Sequence, residues 1–406
     1  MTGPGHAHLA SQPPGPEPVD VPFDNVFEVL RSPSPYDAYA ELRTRDVWRL
    51  NDGTILVAGY AQVVEALTDP RLSTSAHDGL DPDAALDTSL RHETNRLLLF
   101  MDPPDHAPLR RLIGSHLHPD PGIVERTSAD AGAAMVADPR DCVTQWVYPV
   151  ISRAVRDLLG LDEEHSEHLI DWARACSDLL DPVCVLDGPS PPRAAGVQLM
   201  NYVRRSLPGA PHDGVAWALS DARSRGELDD LDVLTNLVSL ISAALDTTHG
   251  LLSNAVALLA GSPTVATDLR RRRSLVPRFL DEVVRLESSV QMTVRAAPTA
   301  LAMSCYSLAA GQRVMVLLGA ANRDERVFAA GGHLDLDRPA SPPHVGFGTG
   351  THRCLGAAVA RAYGEAALNP LLDIWPGLAV DLGGAQRRPH GIFRSFDALP
   401  LVPLTT

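Results

Sequence analysis

The chain has 406 residues, 45% of them hydrophobic and 21% charged. That is enough apolar chain for a large core, and it excludes a disordered tail, a collagen-like repeat and a disulfide-rich miniprotein. The net charge of −15, from 35 basic and 50 acidic residues, excludes a general nucleic-acid footprint, which needs a basic surface.

In chain order, residues 1–22 are rich in Pro, Gly and His and lack a continuous apolar run. They read as a loose arm, neither a signal peptide nor a membrane anchor. Thr54–Val57 reads as a strand of a small sheet and Arg313–Leu318 as a later strand. Helical periodicity dominates between and beyond them, over Glu163–Leu180, Asp232–Ala260 and Leu355–Leu368. The last is expected to stop before Pro370. The Asp232 segment is apolar around much of its circumference, which predicts a central buried helix. Proline-rich breaks read as loops, and none is long enough for an interdomain linker. The expected architecture is one mostly helical domain over 23–406 with a minor β portion. The cysteines, Cys142, Cys176, Cys184, Cys305 and Cys354, are odd in number and irregular in spacing. A reducing cytoplasm is therefore expected rather than a disulfide framework. Every basic residue is arginine, which fits GC-rich coding.

The strongest chemical signal is Phe347-Gly348-Thr349-Gly350-Thr351-His352-Arg353-Cys354-Leu355-Gly356. A glycine-rich loop delivers one cysteine onto a helix start. Such a position lowers a thiol pKa and offers amides to the sulfur, as an axial ligand of haem iron needs. The plain alternative is an inert cysteine at a helix start. A second motif, Ala243-Ala244-Leu245-Asp246-Thr247-Thr248, places an acid and an alcohol in mid-helix. There Thr can bond back to a carbonyl and locally open the ladder. It could equally be a Thr pair at a kink.

Together with Met101–Arg110 (MDPPDHAPLR), Glu282–Arg285 (EVVR) and Ala320–Asp324 (AANRD), these stretches resemble the cytochrome P450 family. The likeness is to its soluble bacterial, actinobacterial-type members, from about Pro35 to Leu404. The resemblance implies the P450 fold, with haem b between a long central helix and the Cys354 loop. Phe347 would lie beneath the haem and Cys354 would ligate its iron. His106, Arg110, Arg295 and His352 would hold its propionates. Asp246 and Thr247 would relay protons. Ala244 stands where the family more often has glycine. Glu282, Arg285 and a downstream arginine, here Arg338, would form a structural network. Pocket walls by family position include Val183, Leu240, Ala244, Val290, Met292, Ile392 and Phe393, with Gln291, Thr293 and Arg394 available to orient a polar group. The implied activity is monooxygenation of a small organic substrate by hydroxylation or epoxidation, in secondary metabolism. Electrons would come from a ferredoxin and its NAD(P)H-dependent reductase, to a cytoplasmic, monomeric enzyme with no nucleic-acid or membrane partner. Oxidative coupling without oxygen insertion, peroxide-driven hydroxylation, a substrate tethered to a carrier protein, and a non-enzymatic haem sensor stay open.

Overall fold

Residues 18–23, 25–75, 96–164, 166–178 and 193–402 are described in a computed structural model of the protein. The helices that position the site are α1 (Tyr60–Thr68), α2 (His106–Gly114), α3 (Pro121–Ala137), α4 (Leu169–Asp178), α5 (Arg193–Ser206), α6 (Asp230–Gly261), α7 (Val276–Leu286) and α8 (Ala357–Ile374). Helix α6 starts on a capping box. Asp229 Oδ1 accepts from the Asp232 amide at 2.8 Å, and Asp232 Oδ2 accepts from the Asp229 amide at 2.9 Å. Two orphan donors are thereby satisfied, and Asp230 and Asp232 oppose the positive end of the helix dipole. Its apolar residues are buried on several faces, and it contacts α4, α5, α7 and α8. It is the central helix that the periodicity predicts.

Two helices differ from the sequence reading. The segment expected as one helix over Glu163–Leu180 has a single 3₁₀ turn at Ser166–His168 followed by α4, with 165 and 179–180 outside the described residues. Helix α8 passes through Pro370 to Ile374 instead of stopping before it. An interior proline costs about 3 kcal/mol. Continuing buries Leu371 and Leu372 completely, at about 1.5–3 kcal/mol each, so packing wins. The register against α3 is fixed by the Ser128 hydroxyl, which donates to Ala367 O at 2.7 Å.

Strands β1 (Val19–Asp20), β2 (Trp48–Arg49), β3 (Ile55–Val57), β4 (Met292–Ala296) and β5 (Arg313–Leu317) form one sheet in the order β1-β2-β3-β5-β4. The two segments read as strands from the sequence pair with each other, parallel, with Ile55 opposite Val314. The free arm expected through residue 22 is corrected at its end, because Val19–Asp20 pair with Trp48–Arg49. Residues 1–17 lie outside the described residues. A small hairpin of β6 (Gln386–Arg387) and β7 (Phe396–Ala398) returns toward α6. Gly250 permits that approach, since a Cβ there would lie 2.8 Å from Arg394 O. Among the described residues no single helix is long and apolar enough to cross a membrane.

Candidate active site

The loop before α8 folds around two left-handed glycines, Gly348 at φ +63° and Gly350 at φ +72°. Gly350 also abuts α1, where a Cβ would sit 2.5 Å from Leu67 O. Both conditions demand glycine. The Cys354 amide donates to Phe347 O at 2.8 Å and closes the loop. The side chain of Cys354 is accessible. Its sulfur accepts from the Gly356 amide at the helix start. Packing around the sulfur pushes the thiol pKa up, while the Gly356 amide and the nearby Arg110, Arg353 and Arg361 pull it down. Desolvation of the thiolate outweighs one amide unless a cation reaches the sulfur. Phe347 packs under Arg361, whose guanidinium lies 4.6 Å from the ring centroid.

Beside this loop the structure gathers basic side chains. The rings of His106 and His352 are 4.4 Å apart. Arg110 Nη2 donates to Arg353 O at 2.6 Å. Arg295 is buried, and its Nη1 donates to Val294 O at 2.8 Å and to Thr293 Oγ1 at 3.3 Å. Among the described residues the carboxylate that reaches them is Asp102, 3.8 Å from His352 Nε2. Asp102 is already occupied by Ser73, Thr74 and Ser75. The electrostatic signature is a shortage of negative charge. Burial holds Arg295 down at about 10, with only Asp102 opposing. Burial, Arg295 and His106 press His352 down to about 4. Burial and Arg110 also lower His106. Two arginines with two imidazoles beside them, Arg110 and Arg295 carrying the fixed positive charge, fit an anionic ligand bearing carboxylates. An accessible thiol at a helix start beside such a cluster fits the thiolate and propionate contacts of haem.

Helix α6 supplies a second accessible surface. Ala243 is exposed, and Leu240, Ala244 and Thr247 are half-buried, on a helix whose neighbouring positions are buried. Their i, i+3, i+4, i+7 spacing makes one stripe. Thr247 Oγ1 donates to Ala243 O at 2.7 Å. The expected opening of the ladder does not occur, and α6 is continuous through this turn. Asp246 belongs to another face. It is buried, and its Oδ1 accepts from Arg388 Nη1 at 2.7 Å while Oδ2 is buried with no hydrogen-bond partner among the described residues.

The Glu282 network is assembled as the motif order suggests. Glu282 Oε1 accepts from Arg285 Nε at 2.6 Å and Arg338 Nε at 3.0 Å. Its Oε2 accepts from Arg285 Nη2 at 2.8 Å and the Asp335 amide at 3.0 Å. Arg285 further donates to Asn322 O and Gly331 O. Three of the expected pocket residues are placed elsewhere. Arg394 is buried on Glu287 at 2.7 Å and also donates to Pro33 O and Tyr36 Oη, so it orients no substrate. Gln291 is buried between Tyr39 Oη and Ser288 O. Met292 packs in the core under the sheet. Met292 shares a face of β4 with Val294, which packs against the same cluster, because residues two apart share a face. Val290, Thr293, Ile392 and Phe393 remain half-buried, and Val290 bridges to Phe393 across an isolated antiparallel pair. Val183 lies outside the described residues, as does Cys184.

Sequence reasoning missed Arg388, Asp178 and Glu287. Arg388 stands beside another arginine in Arg387-Arg388, and Asp178 ends an ordinary amphipathic helix. Their partners lie 142 and 210 positions away, so no local pattern marks them. Glu287 collects Arg323, Arg387 and Arg394.

Comparison with known proteins gives concordant matches. Residues 198–373 match the family profile described as Cytochrome P450. The chain is 28% identical over 383 residues to the biotin biosynthesis cytochrome P450 of Bacillus subtilis, covering 91% of this chain and 96% of that protein. It is 30% identical over 368 residues to the vitamin D(3) 25-hydroxylase of Pseudonocardia autotrophica, covering 86% and 88%. Among solved structures, P450BioI in complex with a hexadec-9Z-enoic acid ligated acyl carrier protein superposes at a TM-score of 0.82. That match is 26% identical and covers 93% of this chain and all of that one.

Proposed function

The chain belongs to the cytochrome P450 family, and from that premise we propose that it is a haem-thiolate monooxygenase that hydroxylates or epoxidises a small organic substrate in secondary metabolism, taking electrons from a ferredoxin. The observation that carries the reading is the accessible Cys354 thiol beside two arginines, Arg110 and Arg295, and two imidazoles, His106 and His352. Haem, when bound, supplies the redox chemistry: one atom of dioxygen enters the substrate and the other leaves as water, with two electrons and two protons consumed.

The chain's own residues would do the rest. Cys354 would give its sulfur to the iron, and the two arginines and two imidazoles would take the propionates. Leu240, Ala243 and Ala244 would give the stripe of α6 an apolar wall that limits water. Thr247 would hold a proton on its hydroxyl beside that wall, and Asp246, one residue earlier, would supply it. Val290, Thr293, Ile392 and Phe393 would shape the substrate side.

A second reading, a substrate carried on an acyl carrier protein, is favoured by the similarity to P450BioI, whose structure contains such a partner. One titration separates the two. The purified ferric protein is titrated with free natural-product scaffolds and with carrier-tethered acyl chains while the Soret band is followed. A low-to-high-spin shift with a free compound, and product heavier by one oxygen on turnover, supports the first reading. A shift only with tethered ligands moves the assignment to the second. Turnover with loss of two hydrogens refutes oxygen insertion.

A further inference from the structure

Between β6 and β7 the chain makes a turn over 388–395, with Ile392 and Phe393 in its middle. One edge of the turn is tied to the segment that follows α7. Ile392 O accepts from the Gln291 amide at 2.8 Å, the Arg394 amide donates to Ser289 O at 2.9 Å, and Val290 pairs with Phe393 between them. In an antiparallel pair flanked in this way, the Phe393 amide faces away from the partner segment. It needs an acceptor on the other edge. A side chain of the turn supplies it. His390 Nδ1 accepts from the Ile392 amide at 3.1 Å and from the Phe393 amide at 3.1 Å. The imidazole is buried, and its centroid lies 5.0 Å from that of the Phe393 ring. A ring nitrogen that accepts carries no proton, so the proton of the neutral ring is on Nε2. That nitrogen lies 3.7 Å from Asp178 Oδ1, at the end of α4.

We propose that His390 is a positioning residue for substrate selectivity: its Nδ1 lone pair gathers two successive amides and so fixes where Ile392 and Phe393 stand on the substrate side. The inference rests on the wall role given to those two residues above. The geometry is that of an Asx turn, in which a side-chain acceptor bonds amides a few residues on. Here an imidazole replaces the shorter side chain and adds a contact with the Phe393 ring. Turning the ring over would point a C–H at the two amides, so the ring orientation and the turn are set together. The bonds to Ser289 and Gln291 fix the register of one edge, and His390 fixes the other. His390 acts through Ile392 and Phe393, and the acceptor on its ring is what the role requires.

The test separates the acceptor from the ring, in the haem-loaded protein. H390N keeps an acceptor on the atom bonded to Cγ and removes the ring. H390F keeps a ring and removes the acceptor. The first readout is amide hydrogen exchange of a peptide containing 391–394. Exchange is expected to be about tenfold faster in H390F, where two amides lose their acceptor, and within about twofold of the parent in H390N. The second readout is the affinity of two ferric-haem ligands, imidazole and clotrimazole, followed at the Soret band. Imidazole is too small to test the wall and is expected to bind all three proteins alike. Clotrimazole, with three aryl rings, is expected to bind H390F about tenfold more weakly and H390N as the parent. A packing role alone reverses the order, with H390F parent-like and H390N impaired. Parent-like exchange and clotrimazole affinity in H390F, or their loss in H390N, overturns the proposal. If H390F does not fold, H390Q, whose acceptor lies one bond farther out, takes its place, and a parent-like H390Q overturns the proposal equally. Failure of the function assigned above is distinguishable: the parent would then lack a thiolate-type carbon monoxide spectrum, while hydrogen exchange would still report whether His390 holds the turn.

Discussion

Replacing Glu282 by alanine tests the buried charge network at its centre. The Glu282 carboxylate accepts four hydrogen bonds, from Arg285 Nε and Nη2, Arg338 Nε and the Asp335 amide. The Arg285 side chain is 1% exposed and that of Arg338 10%, so water cannot replace what is lost. Removing one partner of a buried ion pair costs about 3–5 kcal/mol, because the remaining charge stays buried and uncompensated. Arg285 keeps its bonds to Asn322 O, Gly331 O and His333 O, which favours the lower half of that range. Glu282→Gln keeps one acceptor oxygen and the volume, so it is expected to lose less than Glu282→Ala. The assay is urea unfolding at constant temperature followed by tryptophan fluorescence, with the slope compared among variants. A loss below about 1 kcal/mol for Glu282→Ala would refute the reasoning, since that is the size of a solvated surface pair.

Gly350→Ala combines a positive φ with a Cβ placed 2.5 Å from Leu67 O, so it is expected to cost more than about 1 kcal/mol and to lower haem occupancy, read from the haem-to-protein absorbance ratio. Thr247→Ala is expected to keep the fold, because among the described residues its hydroxyl bonds only to Ala243 O of its own helix; peroxide should rise at the expense of product, and unchanged coupling would remove Thr247 from the proton path. For pH, burial alone would push Glu287 up, but Arg394, Arg387 and Arg323 overcome it and hold the carboxyl at about 2, against an ordinary 4.5. A depressed folded-state pKa gives stability that is present above about 4.5 and lost as pH falls toward 2. Glu287→Gln should flatten that acid limb in unfolding experiments between those values, and an unchanged limb would contradict the assignment.

Local geometry was legible wherever it depended on neighbours in sequence. The Cys354 loop needs glycines within a few residues of the thiol, and Gly348 and Gly350 declare themselves because no other residue suits their backbone. The pairing of Ile55–Val57 with Arg313–Leu317 followed from two apolar runs bounded by turns. Pro370 misled because its local cost is real but smaller than the gain from burying Leu371 and Leu372. Arg394 and Gln291 were misplaced for a related reason: a polar side chain in a variable segment reads as exposed until a buried partner such as Glu287 or Tyr39 is known. Arg388 on Asp246 and Asp178 is the extreme case, because a pair across 142 and 210 positions leaves no trace in periodicity or spacing.

The central claim is that Cys354 presents a thiolate to haem iron. Its most direct test is the absorption spectrum of the dithionite-reduced, haem-loaded protein under carbon monoxide, recorded for the parent and for Cys354→His. The account predicts the red-shifted Soret band characteristic of a thiolate ligand in the parent and its replacement by an imidazole-type band in the variant. An imidazole-type band in the parent, or the same spectrum from both proteins, would contradict it.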